Sequence, residues 1–251
     1  MASILLAGDP ENIRACVKDV SEAYVLYTLH DEEMLHGMDR LNRIEAFDQV
    51  PEDLSAVLLL TTRDDGEIES TLTFLDELLT ESNIPLFVNT LFMTATEVSA
   101  LLGNRIPVVG ISWISGLTNV AERLEAAPAL QVGSEDAQQV LSLLSTIVPG
   151  DIEQVEDRVA LVSARILSMI INEAAFALME DVANPDDIDT AMKLGTNYPN
   201  GPLAWVDSIG ADVIVRILQA LHNEYGEERY RPCVLLKQYA RAGKQFHSHP
   251  N

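Results

Sequence analysis

Basic residues are scarce in this 251-residue chain. It carries 16 lysines and arginines against 39 aspartates and glutamates, a formal net charge of −23, and only four of the bases are lysine. A protein so poor in positive charge has no basic face with which to displace the counterions of a nucleic acid, so nucleic acid is excluded as a partner. The same field opposes phosphate-rich ligands unless a local basic pocket overcomes it. High acid with low lysine fits a salt-adapted protein and fits a plainly soluble acidic one. Cysteine is rarer still. Cys16 and Cys233 lie far apart and form no metal-ligand or redox spacing, which points to a reduced, cytoplasmic chain with two structural thiols. No apolar run approaches the roughly 18 residues needed to cross a membrane. The N-terminal residues also lack the basic-then-apolar order of a secretory signal.

What is present is 47% hydrophobic, enough to bury a core as one large domain or two smaller ones. Residues 1–150 alternate strand-like and helical runs. Short apolar stretches at 3–7, 23–28, 56–60, 86–89, 108–111 and 129–132 read as strands covered on both faces. Helical patterns lie between several of them, at 11–20, 67–79 and 94–102. Strand and helix in alternation imply βαβ units and a parallel sheet, an α/β Rossmann-like N-terminal domain. Residues 151–251 change to helices only. The stretch 157–182 is nearly continuous in apolar character, as in a helix buried all round in a core or a subunit interface. Asn184-Pro185-Asp186-Asp187 reads as N-cap, first-turn proline and two dipole-compatible acids. Further helices are expected at 211–225, stopped by Gly226, and at 232–242, stopped by Gly243. The boundary between the two halves is placed near Pro149-Gly150-Asp151.

The second half carries a resemblance. Asn172-Glu173-Ala174, "DDIDTAMKLG" from Asp186, "GPL" from Gly201, "DSIGAD" from Asp207, "ERYRP" from Glu228 and "AGK" from Ala242 occur in order. Together they resemble the C-terminal domain of the 3-hydroxyacyl-CoA dehydrogenases. "VNTLFMTATEVSAL" from Val88 resembles the N-terminal half more weakly. The resemblance implies an NAD-binding Rossmann domain followed by an all-helical dimerisation domain. It further implies hydride transfer from the C3 hydroxyl carbon of an acyl-CoA to NAD, which needs a phosphate loop, a ribose-binding acid and a histidine base held by a glutamate.

Position by position, the machinery that the family requires is altered. The only glycine from Ala7 to Ile13 is Gly8. Asp9 and Glu11 bring carboxylates to where a pyrophosphate would approach, and Pro10 removes an N–H donor. The turn reads instead as an ordinary helix start, with Asp9 as N-cap, Pro10 at the first position and Glu11 on the helix dipole. Thr28 stands at the ribose-acid position, with Asp31 three residues on. Ser112 stands at the family's histidine, Trp113 and Ile114 at the aromatics that follow it, and Gly116 near the proline. Glu125 matches the glutamate with a one-residue shift, and Asn172 matches the asparagine that assists the base. Leu91 and Phe92 replace the serines that follow Asn-Thr in the family, and the CoA-holding insertion is cut to a short stretch around 32–43. None of His30, His36, His222, His247 and His249 falls at the base position. His247-x-His249 lacks a fixed carboxylate partner and reads as a frayed tail, so no metal is expected.

Two readings stay open. One is a catalytically degenerate subunit that binds no NAD, the cofactor being implied by resemblance only. It would act through its helical domain as a homodimer or as a heteromer with an active relative, with an acyl-CoA or a small acid as a ligand. The other is an active oxidoreductase on 3-hydroxyacyl-CoA-type substrates with a rewired site that uses Glu125, Asp31 or Asn172.

Overall fold

A computed structural model describes residues 2–29, 38–45, 49–62, 67–79, 83–114, 123–148 and 150–247. The chain divides into two compact units, Met1–Leu161 and Val162–Asn251. The first is built on an eight-stranded sheet among the described residues: β1 (Ser3–Gly8), β2 (Val25–Thr28), β3 (Leu41–Arg43), β4 (Leu54–Leu60), β5 (Leu86–Asn89), β6 (Val108–Ile111), β7 (Arg123–Pro128) and β8 (Asp151–Gln154). Their spatial order is β3-β2-β1-β4-β5-β6-β7-β8. Neighbours run parallel throughout, apart from the antiparallel pair β6–β7. The first six strands follow the doubly wound dinucleotide-binding order.

Period-two alternation decides which side chains meet which helices. On β1, Ile4 and Leu6 face one way; on β4, Ala56, Leu58 and Leu60 do the same. They pack with Ile13, Cys16 and Val17 of α1 (Pro10–Asp19) and with Val140, Leu144 and Ile147 of α4 (Ser134–Ile147). Leu5 and Ala7 of β1 and Val57 and Leu59 of β4 face the other way. Their partners are Leu72, Leu75 and Leu79 of α2 (Glu67–Leu79) and Ala95 and Val98 of α3 (Ala95–Leu101). Burying each large aliphatic side chain contributes about 1.5–3 kcal/mol, so a strand covered on both faces is held from both sides.

The second unit comprises α5 (Ser163–Met179), α6 (Pro185–Thr196), α7 (Pro202–Ile209), α8 (Ala211–Tyr225) and α9 (Val234–Ala242). Helix α5 packs against each of the other four. Asn184 caps α6 as expected, its Oδ1 accepting the Asp187 N–H at 2.9 Å. Gly226 and Gly243 end α8 and α9 in left-handed conformations.

Several boundaries differ from the sequence reading, two of them at the junction of the halves. Helix α5 starts at Ser163 rather than 157, because Ala160 and Leu161 take φ of +60° and +46°. Just upstream, the Asp157 carboxylate accepts the N–H groups of Ala95 and Thr96 at the start of α3 (2.9 and 2.8 Å). The first unit therefore reaches Leu161, past the expected break at residue 150, and β8 adds to its sheet beside β7.

Candidate functional site

β1 and β4 lie side by side while the helices that follow them, α1 and α2, pack on opposite faces. This is the switch point at which open α/β sheets take their ligands. Gly8 ends β1 with φ +114°, and a Cβ there would fall 2.5 Å from the Leu60 carbonyl carbon and 2.7 Å from the Thr61 nitrogen. Only glycine lets the two strands run this close in that conformation. Asp9 follows in an extended conformation and Pro10 opens α1.

The expected cap is not made. The Asp9 side chain accepts no capping hydrogen bond from a backbone N–H of α1. Its Oδ2 turns to the exit of β4, where it accepts both the N–H and the hydroxyl of Thr62. Asn12 joins the same bridge, with Nδ2 3.1 Å from the Leu60 carbonyl oxygen and 3.4 Å from Asp9 Oδ2. Asp9 N–H donates to that carbonyl as well, at 3.2 Å. The tertiary donors win over the local cap because Thr62 offers both its N–H and its hydroxyl to one oxygen.

Counting from Gly8, Pro10 and Ile13 occupy the second and third glycine positions of a G-x-G-x-x-G spacing. Pro10 has no N–H, and Ile13 is wholly buried in the core, where a glycine would allow close helix–strand packing. A buried carboxylate in the crevice, a proline and a core isoleucine do not fit a pyrophosphate.

Thr28 ends β2, is wholly buried, and its carbonyl accepts the Ile44 N–H at 2.9 Å. Asp31 and Gly116 lie outside the described residues. Asn89, which sequence reasoning missed, joins three strand ends. Its Nδ2 donates to the carbonyls of Thr61 (3.2 Å) and Trp113 (2.6 Å), and its Oδ1 accepts the Trp113 N–H (2.8 Å). The available signal was a polar residue closing an otherwise apolar strand, "LFVN".

Ser112, held just before that clamp, is half-buried. Ile111, the last residue of β6, pairs with Ala126 of β7; Ser112 follows β6 and Glu125 lies in β7. A serine hydroxyl is no substitute for imidazole as a proton acceptor. Leu91 is buried, and Phe92 packs against the core on the α2–α3 side.

Asn172 is buried in α5 and bonded inside the second unit. Its Nδ2 donates to the Arg231 carbonyl (3.0 Å) and its Oδ1 accepts the Cys233 N–H (2.7 Å). It fastens the turn that starts α9. His247 corrects the frayed-tail reading, while His249 lies outside the described residues. His247 Nδ1 sits 2.8 Å from Asp207 Oδ2, and its Nε2 sits 3.3 Å from Asp189 Oδ2. Asp207 also accepts the N–H groups of Phe246 (2.6 Å) and His247 (2.9 Å). Asp189 accepts those of Leu203 and Ala204, both at 2.8 Å. Among the described residues no set of His, Cys, Asp and Glu side chains is disposed to hold a metal ion.

The order of the strands, the switch point and the helical unit that follows define a Rossmann-like α/β unit with an all-helical unit after it. Comparison with known proteins narrows it. Residues 161–247 match the family model "3-hydroxyacyl-CoA dehydrogenase, C-terminal domain". A probable 3-hydroxybutyryl-CoA dehydrogenase of Bacillus subtilis is 37% identical over 155 residues, 62% of this chain and 53% of the relative, so the match spans about half of that protein's length. A 3-hydroxybutyryl-CoA dehydrogenase of Clostridioides difficile is 31% identical over 194 residues, 76% of this chain and 67% of the relative. The crystal structure of a Ralstonia eutropha (S)-3-hydroxybutyryl-CoA dehydrogenase superposes with a TM-score of 0.75 at 23% identity, over 97% of this chain and 94% of that one. The chain belongs to the 3-hydroxyacyl-CoA dehydrogenase family.

Proposed function

We propose that this member of the family is a catalytically degenerate subunit that does not bind NAD. In this reading it acts by assembling through its helical unit, with itself or with an active relative. The observation that carries the reading is the Asp9 carboxylate, bonded to Thr62 across the β1–β4 crevice where a pyrophosphate would approach. Ser112 in place of a histidine and Leu91-Phe92 in place of serines support it. The bonding of Asn172 within the helical unit gives that residue a role independent of any substrate. Two free, buried cysteines support a reducing, cytoplasmic setting. No helix among the described residues is long and apolar enough to cross a membrane.

The test is a fluorescence titration of the purified chain with NADH, followed by acetoacetyl-CoA reduction assayed alone and with an active paralogue from the same source. The expected result is no saturable NADH binding, no turnover alone, and a change in the paralogue's activity or stability on mixing. Micromolar NADH affinity with turnover by this chain alone would overturn the reading and establish the rewired-enzyme alternative built on Glu125, Asp31 or Asn172.

A further inference from the structure

The segment that follows α9 is fastened back onto the helical unit by side chains that the proposed function does not use. Asp207, near the end of α7, is its anchor. The Asp207 carboxylate accepts the N–H groups of Phe246 (2.6 Å) and His247 (2.9 Å), and the oxygen that takes the second of these also lies 2.8 Å from Nδ1 of the His247 ring. Gln245 Nε2 donates to the Asp207 carbonyl at 3.4 Å. The Phe246 ring is buried and stacks on Tyr239 of α9, with centroids 4.2 Å apart and planes 13° from parallel. Residues 244–247 thus form a strap over α6, α7 and α9.

His247 closes the strap, and its ring meets carboxylates on both edges. Nδ1 faces Asp207. Nε2 faces Asp189 Oδ2 at 3.3 Å and Asp186 Oδ1 at 3.7 Å, both from α6. A neutral imidazole carries one ring proton. With that proton on Nδ1, the Nε2 lone pair is set against Asp189 and Asp186; with it on Nε2, the Nδ1 lone pair is set against Asp207. Only imidazolium presents a donor and a positive charge to both edges. Asp189 is not free to turn away. It is buried, it accepts the Leu203 and Ala204 N–H groups, and a Cβ at Gly201 would fall 2.1 Å from its carboxyl carbon. Asp186 is exposed, so water screens its share. Among the described residues no lysine or arginine pairs with any of these three carboxylates, Lys244 on the strap itself included, and α9 meets the strap with the Tyr239 ring.

We propose that His247 makes this strap a pH-operated latch, closed while the ring holds its second proton and loosened when that proton leaves, which uncovers Phe246 and the Tyr239 face beneath it. Histidine is the side chain whose charge ordinarily changes between about pH 5 and 8. The direction follows from which form bonds. The charged ring donates to both edges and the neutral ring to one, so closure is fullest below the titration of His247 and is lost as pH rises through it. The backbone N–H bonds to Asp207 do not depend on the ring proton, so the strap loosens while the helices beneath it stay folded.

The test is amide hydrogen exchange at Phe246 and His247, followed by NMR on the full chain from about pH 5.5 to about pH 8.5. Each rate is referred to that of an unstructured peptide at the same pH, and the titration of the His247 ring is recorded in the same samples. Protection of both amides is expected to fall by at least about tenfold across the range, with a midpoint that coincides with the titration of the ring. In His247→Gln, which keeps an amide donor and does not titrate, protection is expected to be weak and independent of pH; far-UV circular dichroism checks its fold. Parental protection that stays flat or rises with pH, or a fall of the same size in His247→Gln, would overturn the latch. If the variant misfolds, the two parental midpoints decide: coincidence supports the latch and separation overturns it.

Discussion

Replacing Asp9 tests whether the β1–β4 crevice is held by a structural joint. Asp9→Ala removes the acceptor for Thr62 N–H and Thr62 Oγ1–H and the neighbour of Asn12 Nδ2. Hydrogen bonds to a charged group contribute about 1.5–3 kcal/mol each. Because Thr62 is only half-buried, water recovers part of the loss, and the expected destabilisation is about 2–4 kcal/mol. Asp9→Asn keeps one acceptor and loses the charge, so it is expected to cost about half as much. Urea unfolding reads both, on a Trp205→Phe background in which Trp113 alone reports on the first unit. NADH titration of the same variants is expected to stay flat, because Pro10 still lacks an N–H and Ile13 still fills the third-glycine place. An Asp9→Ala protein within about 0.5 kcal/mol of its parent, the range of an inconsequential surface change, would refute the joint. Micromolar NADH affinity in that variant would show that the carboxylate alone barred the cofactor.

Asn172→Ala leaves the Arg231 carbonyl and the Cys233 N–H without their partner and is expected to destabilise the helical unit by about 2–4 kcal/mol in urea unfolding; parental stability would refute the structural role. Asn172→Asp is no rescue, since it sets an acceptor against the Arg231 carbonyl. Burial, with a lesser contribution from Asp19, pushes the Cys16 thiol well above its usual range, so native protein at neutral pH is expected to resist iodoacetamide at Cys16 and to react only when unfolded. Rapid native labelling, located by mass spectrometry, would count against the burial. The Ser3 hydroxyl, donating to Asp53 at 2.7 Å, is the main cause that holds the Asp53 carboxyl below its ordinary 3.8. A depressed carboxylate stabilises the fold above its unfolded pKa and loses that contribution as pH falls through the folded value. Ser3→Ala and parent should therefore differ in stability at neutral pH and converge in acid; a gap that widens in acid would contradict the assignment.

The interior of the fold was legible in the sequence and its edges were not. β1, β4, β5 and β6 are buried on both faces, so each announces itself as an apolar run. β3 ("LNR") and β8 ("DIEQ") are largely exposed strands at the two margins of the sheet, with no hydrophobic signal to read. β7 lies at 123–128 rather than 129–132, because Arg123, Glu125 and Pro128 dilute its alternation. The over-long helix expected from 157 fails for a related reason: an apolar run has no periodicity that marks where the backbone leaves the helix at Ala160 and Leu161. At the site, the departures from the family pattern could be read by position, since Pro10, Ser112 and Leu91 are visible as letters. The tertiary bonds made there could not. The Asp9–Thr62 bridge joins residues 53 apart in sequence, and Asn89 reaches 24 and 28 residues along the chain. Local pattern predicts a cap for Asp9 because it contains no information about which donors the fold brings near.

The same carboxylate logic recurs through the molecule. Asp9, Asp157, Asp189 and Asp207 each accept two or more N–H or O–H groups from a different element. Gly201 shows how closely one of them is built in, since a Cβ there would fall 2.1 Å from the Asp189 carboxyl carbon. A ligand held at a hundred times its dissociation constant stabilises its protein by about 2.7 kcal/mol. A Rossmann unit that never meets its dinucleotide forgoes that contribution and must be stable empty. An aspartate at the switch point contributes such stability from within, because its carboxylate bonds the exit of β4 to the end of β1. The bonds that Asp9 makes to the exit of β4 therefore help hold β1 to β4, and a glycine in place of Asp9 would weaken the fold.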